Sequence, residues 1–405
     1  MTGQARRLAA GGRIDRSRPV SFRFDGRTYS GFDGDTLASA LLANGVALVG
    51  RSFKYHRPRG IYSAGIEEPN ALVTLRGEGR HEPNVPATRV ELFDGLEAQS
   101  QNRWPSLRHD VMSVVGHFPK AFAAGFYYKT FMGPTRRAWM FYEHFIRKAA
   151  GMGDPTSAPD PDRYEKAHAF CDLLVVGAGP AGLAAAIAAG RSGLRVILVE
   201  DDAEPGGSLL GRRDGAVADW LKLALAELDT LASVRVMTRT CVFGAYDGMT
   251  FGLLERVGDH LAIPAPFQPR QRYWRVRAER AILATGMIER PIVFGNNDLP
   301  GVMLAAAARS YVNRFAVLPG RRVVVFTNND SAYGAAEDLR AAGAAVSIVD
   351  VRAVISEALR ARTAEAGIEV LSGCAVGRAN GRRTVTSVDI VPFDARRPEA
   401  ARTRK

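Results

Sequence analysis

The chain has 405 residues, 46% of them hydrophobic and 24% charged, which is enough for two or three domains with apolar cores and excludes a disordered chain. Its net charge of +12 comes with no recognisable nucleic-acid-binding module, so nucleic acid is excluded as an expected partner. The sequence shows no secretory signal and no uninterrupted apolar segment of membrane-spanning length, and its three cysteines have neither disulfide nor metal-ligand spacing. A cytoplasmic protein without membrane contact and without a metal site is therefore predicted.

The first predicted elements indicate a ferredoxin-like domain over residues 18–110, preceded by a disordered arm over residues 1–17. Residues 20–29 alternate between apolar and polar side chains on either side of the pair Asp25-Gly26. Because Asp-Gly is a preferred type I′ turn, this pattern predicts a β-hairpin.

A helix follows the hairpin, with Asp35 as its predicted N-cap and Gly45 as its stop. This order is typical of plant-type ferredoxin domains, which hold their cluster with four thiolates in a loop after the helix. The corresponding loop, residues 51–60, has no cysteine, so the domain is expected to be cluster-free. His56 and His81 have no second ligand at metal spacing and are interpreted as exposed or hydrogen-bonded histidines. The basic loop itself fits either a solvated turn or an interface for another domain or an anionic ligand.

Residues 111–169 are interpreted as an aromatic connecting arm and linker. Trp139, Tyr142 and Phe145 fall on one face of a helical pattern, which favours packing against the same chain or a partner protein over a membrane surface. Residues 151–161, rich in Gly, Pro, Asp and Ser, complete the predicted linker.

The most informative motif follows a predicted strand at residues 173–176. Gly177 permits a tight turn, Gly179 lets the backbone approach a pyrophosphate, and Gly182 lets the next helix pack on the strand. The helix begins with unpaired N–H groups that bind phosphate. A second apolar run then ends at Glu200, whose carboxylate is placed to accept hydrogen bonds from the ribose hydroxyls of a dinucleotide.

Three features refine this prediction. Asp201 and Asp202 follow Glu200 and would repel a 2′-phosphate, which favours NAD or FAD over NADP. Residues 204–208 form a flexible turn after the second strand, and residues 281–286 resemble a buried strand that ends in a turn of small residues. Together these segments match the two-dinucleotide-domain pattern of flavoprotein reductases.

The rest of the chain, residues 170–405, is predicted to be α/β with Rossmann-type topology. An amphipathic helix is expected at residues 219–231 and a strand at 234–237. An antiparallel meander is expected at residues 240–246, 249–255 and 273–276. A second βαβ unit near 320–350 has the turn 327–334, which lacks the glycines for close pyrophosphate approach and is predicted to bind a dinucleotide poorly.

Taken together, these segments resemble the N-terminal portion of the alpha subunit of heterotetrameric sarcosine oxidase. The stretches that carry the resemblance are residues 34–45, 51–60, 125–131 and 326–333. The resemblance implies a cluster-free ferredoxin-like domain followed by a region that holds NAD, with FAD as the alternative and no iron–sulfur cluster. Its implied partners are a flavin-bearing beta subunit, together with the smaller subunits of a hetero-oligomer. In such a complex sarcosine is demethylated to glycine, and the one-carbon unit passes to tetrahydrofolate or leaves as formaldehyde with H₂O₂.

No side chain of this chain is predicted to be catalytic, because no nucleophile–base pair lies near the motifs. None is predicted to bind a metal, because the cysteines and histidines lack metal-ligand spacing. The resemblance adds Ala181, Ser208 and Val242 to the contacts indicated by the glycine motif and the carboxylates. The predicted coenzyme contacts are Gly177, Gly179, Ala181, Gly182, Glu200, Asp201, Asp202, Gly207, Ser208, Val242, Thr285 and Gly286.

Two other interpretations remain open. One is a self-sufficient FAD-dependent oxidoreductase related to opine dehydrogenase or cyanide synthase subunits. The other is a non-catalytic assembly subunit whose nucleotide is structural. The sequence ends at Lys405, before the nucleotide domain is expected to close and before the folate-binding domain that the resemblance implies, so a truncation, a split gene or a frameshift product is expected.

Overall fold

The computed structural model of the chain describes residues 3–77, 80–117, 133, 135, 137–150, 153, 156 and 158–393. These residues form two compact units. The first unit, unit 1, combines residues 1–159 with residues 290–405, and the second, unit 2, is the continuous stretch 160–289.

Unit 1 begins with a five-stranded sheet built on the predicted hairpin. Strands β1 (Asp15–Phe24) and β2 (Arg27–Asp33) pair antiparallel about Asp25 and Gly26, whose φ angles are 48° and 76°. Both positive values fit the type I′ turn that the sequence predicts, so the hairpin is confirmed. The remaining strands of this part of the chain are β3 (Gly50–Arg51), β4 (Pro58–Arg59), β5 (Leu72–Gly77), β6 (Arg80–Pro86) and β7 (Glu97–Ser100). The sheet order is β2-β1-β7-β5-β6, and β3 and β4 form a separate short ladder.

The predicted helix is α1 (Leu37–Ala43), but its N-cap is Thr36 and not Asp35. Thr36 and Ser39 form a reciprocal capping box, with hydrogen bonds of 3.1 and 2.9 Å between each side chain and the other residue's amide. Asp35 instead binds the Arg7 guanidinium at 2.5 Å in a pair that is almost fully buried. Gly45 has a φ of 77°, as expected for a helix stop.

Residues 4–17, predicted to be part of a disordered arm, make specific contacts with unit 1. The Arg6 amide donates to the Ala43 carbonyl at 3.0 Å, and the Leu8 amide donates to the Ala316 carbonyl at 2.8 Å. The arm is held because the Arg7 charge is neutralised inside the fold. The only helix described between residues 111 and 160 other than a 3-10 turn is α2 (Ala138–Ala150), and the resemblance stretch 125–131 lies outside the described residues.

Unit 2 is a six-stranded sheet with two helices. Its elements are β8 (Tyr164–Val176), α3 (Pro180–Arg191), β9 (Val196–Val199), α4 (Gly215–Thr230), β10 (Val234–Met237), β11 (Thr240–Tyr246), β12 (Thr250–Arg256) and β13 (Gln271–Leu283). The strand order is β10-β9-β8-β13-β12-β11, parallel from β10 to β13 and antiparallel beyond it. The predicted meander is thereby confirmed. Strand β8 begins at Tyr164, inside the stretch predicted as linker.

Two apolar layers cover the sheet of unit 2. Leu183 of α3 and Leu221 of α4 pack with Val175 on one face. Leu174, Leu253 and other buried side chains pack on the opposite face. Burial on both faces explains why β8 and β9 have continuous apolar runs in the sequence.

The second part of unit 1 contains the predicted second βαβ unit. Its elements are α5 (Ala305–Asn313), β14 (Arg322–Thr327), α6 (Tyr333–Ala341), β15 (Ala345–Asp350), α7 (Glu357–Glu365), β16 (Glu369–Ser372), β17 (Cys374–Gly381) and β18 (Val385–Pro392). Strands β14, β15 and β16 form a parallel sheet, and β17 pairs with β18 as a hairpin. Helix α5 packs into the core of the first sheet, where Tyr311 is fully buried and donates from its hydroxyl to the Ser63 carbonyl at 2.7 Å.

No helix among the described residues is long and apolar enough to cross a bilayer.

Candidate dinucleotide-binding site

The candidate site begins where β8 turns into α3. Gly177 has a φ of 100°, and a Cβ atom placed there would lie 2.5 Å from the Ala284 carbonyl oxygen. Its amide donates to the Val199 carbonyl at 2.7 Å. Only glycine fits this conformation and this space, so the predicted tight turn is present.

The next two glycines differ in their surroundings. A Cβ on Gly182 would lie 1.8 Å from the Gly177 carbonyl oxygen, so the helix can lie this close to the turn only without a side chain. A Cβ on Gly179, by contrast, would meet no atom within 4 Å. Gly179 is the N-cap of α3 and Pro180 follows at the first helical position, which leaves the helix N-terminus facing open space. This geometry suits a diphosphate held by backbone N–H groups.

Glu200 lies at the end of β9, next to the turn. Its Oε2 accepts a hydrogen bond from the Ala178 amide at 2.8 Å and its Oε1 accepts one from the Asp202 amide at 3.0 Å. Burial raises the pKa of Glu200, with a smaller contribution from the charges of Asp202 and Asp201, whereas the two amides lower it. Each oxygen keeps a second lone pair, so the carboxylate can still accept from ribose hydroxyls.

Arg256 is a neighbour of this site that the sequence analysis did not identify. It hydrogen-bonds through Nη2 to the Asp201 carbonyl, and its guanidinium lies 3.9 Å from the Asp201 carboxylate. It is the last residue of β12, and the antiparallel meander places this end of β12 near the end of β9. No local pattern could have revealed it, because the two residues are far apart in sequence.

The double glycine forms a second wall of the site. Gly206 has a φ of 136° and donates from its amide to the Ala178 carbonyl at 2.8 Å. A Cβ on Gly207 would lie 3.0 Å from the Gly179 Cα atom, so this turn lies directly against the phosphate turn. Ser208 follows with an exposed side chain.

The segment 281–286 was expected to be a buried strand that ends in a turn. The strand is present and ends at Leu283, but the expectation of burial is wrong. The Leu283 side chain is 73% exposed. Among the described residues, β12 pairs with β13 only as far as Arg277, so no strand lies beside the end of β13 on that side. The end of this strand lies beside the turn, since the Ala284 amide donates to the Val176 carbonyl at 2.8 Å. Thr285 therefore lies next to Gly177, and Gly286, with a φ of 74°, follows in open space.

The remaining predicted contacts lie further out. Ala181 is exposed in the first turn of α3, and Val242 is partly buried in β11, where it pairs with Leu253. The site thus joins the turn, the carboxylate at the end of β9 and the double glycine. Cys171 lies on β8, six residues before Gly177, and burial raises the pKa of its thiol to about 11, so this cysteine is not a reactive thiolate. The arrangement can bind and orient a coenzyme, and no described side chain is placed to act as a nucleophile.

The basic loop 51–60 lies in unit 1 and is largely neutralised there. Arg57 and Arg59 both bind the Asp298 carboxylate. Burial raises the pKa of this carboxyl, but the hydrogen bonds and charges of the two arginines outweigh it and lower the pKa to about 2. His56 is buried, and its Nδ1 lies 2.7 Å from an Asp110 carboxylate oxygen. The prediction of a hydrogen-bonded histidine at this position is confirmed.

Comparison with known protein families defines the class of protein. A family described as 2Fe-2S iron-sulfur cluster binding domain matches residues 17–103, and a family described as FAD dependent oxidoreductase matches residues 172–219. The chain therefore combines a 2Fe-2S ferredoxin-type domain with an FAD-dependent oxidoreductase region. These matches correct two predictions. The N-terminal domain was predicted to be cluster-free and the protein to hold no iron–sulfur cluster, whereas the domain matches a 2Fe-2S cluster binding family. NAD was predicted as the coenzyme, whereas the second match is to FAD-dependent oxidoreductases.

The residues of this chain do not supply the usual ligands of such a cluster. The three cysteines are Cys171, Cys241 and Cys374, all outside the matched residues 17–103. A cysteine-ligated cluster therefore has no ligands within the matched residues.

Curated relatives identify the chain more closely. It is 53% identical to the sarcosine oxidase alpha subunit of Rhizobium meliloti over 92% of its length, and 38% identical to the corresponding subunit of Corynebacterium sp. (strain U-96) over 96%. It spans 38% and 36% of the lengths of these relatives. The chain is a homologue of the N-terminal part of the sarcosine oxidase alpha subunit, so the resemblance seen in the sequence is confirmed.

A solved structure agrees on the fold. The crystal structure of L-proline dehydrogenase from P. horikoshii superimposes with a TM-score of 0.60 and 21% identity, covering 97% of this chain and 61% of that one. At this level of identity the likeness concerns the fold alone.

Proposed function

We propose that this chain is the coenzyme-binding part of the alpha subunit of a sarcosine-oxidising complex, an oxidoreductase that acts on CH–NH groups. The observation that carries the proposal is the 53% identity to the Rhizobium meliloti protein over 92% of the chain. The overall reaction would convert sarcosine, O₂ and water to glycine, formaldehyde and H₂O₂, or pass the one-carbon unit to tetrahydrofolate. The amine would be oxidised on a flavin in a partner subunit.

The role of this chain's own residues is to hold the adenosine diphosphate half of a coenzyme. The main-chain amides around Gly179 would bind the diphosphate, and Glu200 would accept hydrogen bonds from the ribose. The match of residues 172–219 to FAD-dependent oxidoreductases favours FAD as that coenzyme. A bound flavin would supply hydride or electron transfer, whereas the protein supplies binding, orientation and shielding from water.

A second candidate function is supported by more distant relatives. The chain is 33% identical to an opine oxidase component of Agrobacterium tumefaciens (strain Ach5), but only over 43% of its length. An opine-type substrate is also a secondary amine, so the same reaction class would apply. The lower identity and shorter overlap make sarcosine the preferred substrate.

The coenzyme is tested by releasing it from the gently purified full chain with acid and identifying it by chromatography and absorbance. We expect FAD, and we expect it to be lost from the Gly179→Ala variant. Recovery of no adenine dinucleotide, together with no binding of added FAD, would overturn the site assignment. Recovery of another adenine dinucleotide would retain the site and refute FAD.

The substrate is tested separately in the complex formed with its partner subunits. Oxygen uptake is measured with sarcosine and with an opine as substrates. Sarcosine-dependent uptake is expected to exceed opine-dependent uptake. The reverse order would refute the sarcosine assignment even if FAD is bound.

A further inference from the structure

One surface of unit 2 has no role in the candidate site. Along β13, Trp274, Val276 and Ala278 are buried, so the alternate residues face the other side of the sheet. The register places Tyr273 beside Lys166, Arg275 beside His168 and Arg277 beside Phe170 on β8. Neighbouring parallel strands lie about 4.8 Å apart, so these six side chains form one surface, the β8–β13 outer face. Lys166, His168, Tyr273 and Arg275 line one shallow depression within it.

The basic side chains of this face have no counterion among the residues that the structure describes. The side chains of Lys166, Arg275 and Arg277 take part in no hydrogen bond or ion pair there. The next arginine along β13, Arg272, points to the opposite side and binds Glu165 and Glu255 at 2.8 and 3.0 Å. Three permanent positive charges therefore remain uncompensated on an exposed sheet surface.

The acidic groups at the two ends of the face are already engaged. At the end near Lys166, Asp160 accepts a hydrogen bond from the Tyr164 hydroxyl at 2.7 Å. At the other end Asp172 binds Arg195 at 2.5 Å, and Glu279 acts on the same guanidinium. They do not neutralise the arginines and the lysine of the outer face. The charge of this surface is available for a partner.

Aromatic rings border the cationic row. Phe243 of β11 lies over Gly252, where a Cβ atom would come within 2.6 Å of the ring, and its centroid is 5.8 Å from that of Tyr273. Phe243 is 51% exposed although a ring of this size is usually buried, and Phe170 on the same face is 68% exposed. Glycine at position 252 thus leaves the space that the exposed Phe243 ring occupies.

We propose that the β8–β13 outer face, extended by Phe243, is a docking surface for an acidic protein segment that carries an aromatic or aliphatic anchor. Arginine, tyrosine and phenylalanine are enriched at protein–protein interfaces, and clustered anchors of these types supply most of the binding energy. An acidic partner complements the unpaired cations, which accelerates association and selects the partner. The face covers the N-terminal half of β8, whereas the coenzyme turn follows its C-terminal end. The proposal therefore stands independently of coenzyme binding.

The test measures binding of a fluorescently labelled peptide of repeated Asp-Glu-Phe to the full chain by fluorescence anisotropy. Lys166→Glu/Arg275→Glu is compared with Lys222→Glu/Arg360→Glu, which changes the net charge equally at exposed positions elsewhere. We expect the first double variant to weaken binding by at least about tenfold and the control by less than about twofold. Phe243→Ala, or a peptide with alanine in place of phenylalanine, is expected to weaken binding as well.

A charge swap makes the test specific. A peptide with lysine in place of Asp and Glu should bind Lys166→Glu/Arg275→Glu more tightly than it binds the wild type. Equal losses in both double variants would show that only net charge matters and would overturn the proposal. Tighter binding of a single-stranded oligonucleotide than of the acidic peptide, lost in the same variant, would assign the face to nucleic acid instead. If the glutamate variant does not fold, Lys166→Gln/Arg275→Gln is used and should weaken binding in the same direction. Because released coenzyme is quantified in the same samples, a failure here is distinguishable from a failure of the proposed function.

Discussion

Replacing Gly182 and Gly179 by alanine, one at a time, separates helix packing from coenzyme binding. In Gly182→Ala the new Cβ would lie 1.8 Å from the Gly177 carbonyl oxygen, whereas ordinary contact needs about 3.4 Å, so the helix must move away from the strand. Overpacking of this kind costs about 1–3 kcal/mol, against which the higher helix propensity of alanine returns at most about 1 kcal/mol. We expect the variant to unfold at lower urea concentration and to bind FAD weakly.

Gly179→Ala should weaken FAD binding without destabilising the fold. Its Cβ meets no atom within 4 Å and its φ of −72° suits alanine, so the loss of stability should not exceed about 0.5 kcal/mol. The same methyl group would occupy the space through which a diphosphate reaches the amides. Loss of one or two charge-assisted hydrogen bonds, each worth about 1.5 kcal/mol, should weaken FAD binding at least about tenfold.

The assay is urea unfolding followed by tryptophan fluorescence, together with FAD titration at a temperature well below unfolding. Gly215→Ala, at the open first position of α4, serves as the matched control and should change neither property. The reasoning is refuted if Gly182→Ala is as stable as the wild type, or if Gly179→Ala binds FAD with unchanged affinity.

Three other predictions concern charged groups. Glu200→Gln should weaken FAD binding by about 10- to 100-fold at pH 7. Wild-type FAD binding should weaken as the pH falls through the raised pKa of Glu200, and the variant should show no such pH dependence in the same titration. Arg7→Ala leaves the buried Asp35 carboxylate unpaired and should lower the free energy of unfolding by about 3–5 kcal/mol in urea, whereas Arg18→Ala, which breaks an exposed pair, should cost less than about 1 kcal/mol; equal costs would contradict the assignment. The pKa of Asp298 is lowered to about 2, so its contribution of about 2 kcal/mol to the free energy of unfolding is complete at neutral pH and is lost as the pH falls from 4 to 2. Asp298→Asn should therefore be less stable than the wild type at pH 7, and its free energy of unfolding should change less between pH 4 and 2. Urea unfolding at each pH measures both.

Local patterns predicted the elements whose shape is decided by neighbouring residues. The Asp25-Gly26 hairpin, the turn at Gly177 and the second βαβ unit follow from turn conformation and apolar periodicity, and the structure has all three. The packing role of Gly182 was also predictable, because a helix this close to a strand excludes a side chain.

Long-range contacts decided what the sequence could not show. Asp35 has the right chemistry for an N-cap, but the buried Arg7 charge draws its carboxylate away and Thr36 takes the cap. Arg256 reaches Asp201 only because three strands fold back in register. The exposure of Leu283 depends on which strands pair with the end of β13, which an apolar run does not reveal.

The coenzyme was mispredicted for a different reason. Carboxylates after the second strand disfavour a 2′-phosphate, but NAD and FAD share the adenosine diphosphate half that this motif binds. Residues at Gly177 and Glu200 therefore cannot tell the two apart. The match to FAD-dependent oxidoreductases supplies the distinction.

Unit 1 is assembled from two stretches of chain with all of unit 2 between them. Tyr311 and Phe315 fill the core formed by residues near the N-terminus, so that core lacks these side chains until the ribosome has made more than 300 residues. Unit 2 is continuous and can complete its sheet before the residues that fill the core under the first hairpin have been synthesised. We therefore expect newborn polypeptide stalled shortly after residue 289 has left the exit tunnel to resist protease over 160–289 and to be cut within the first 100 residues.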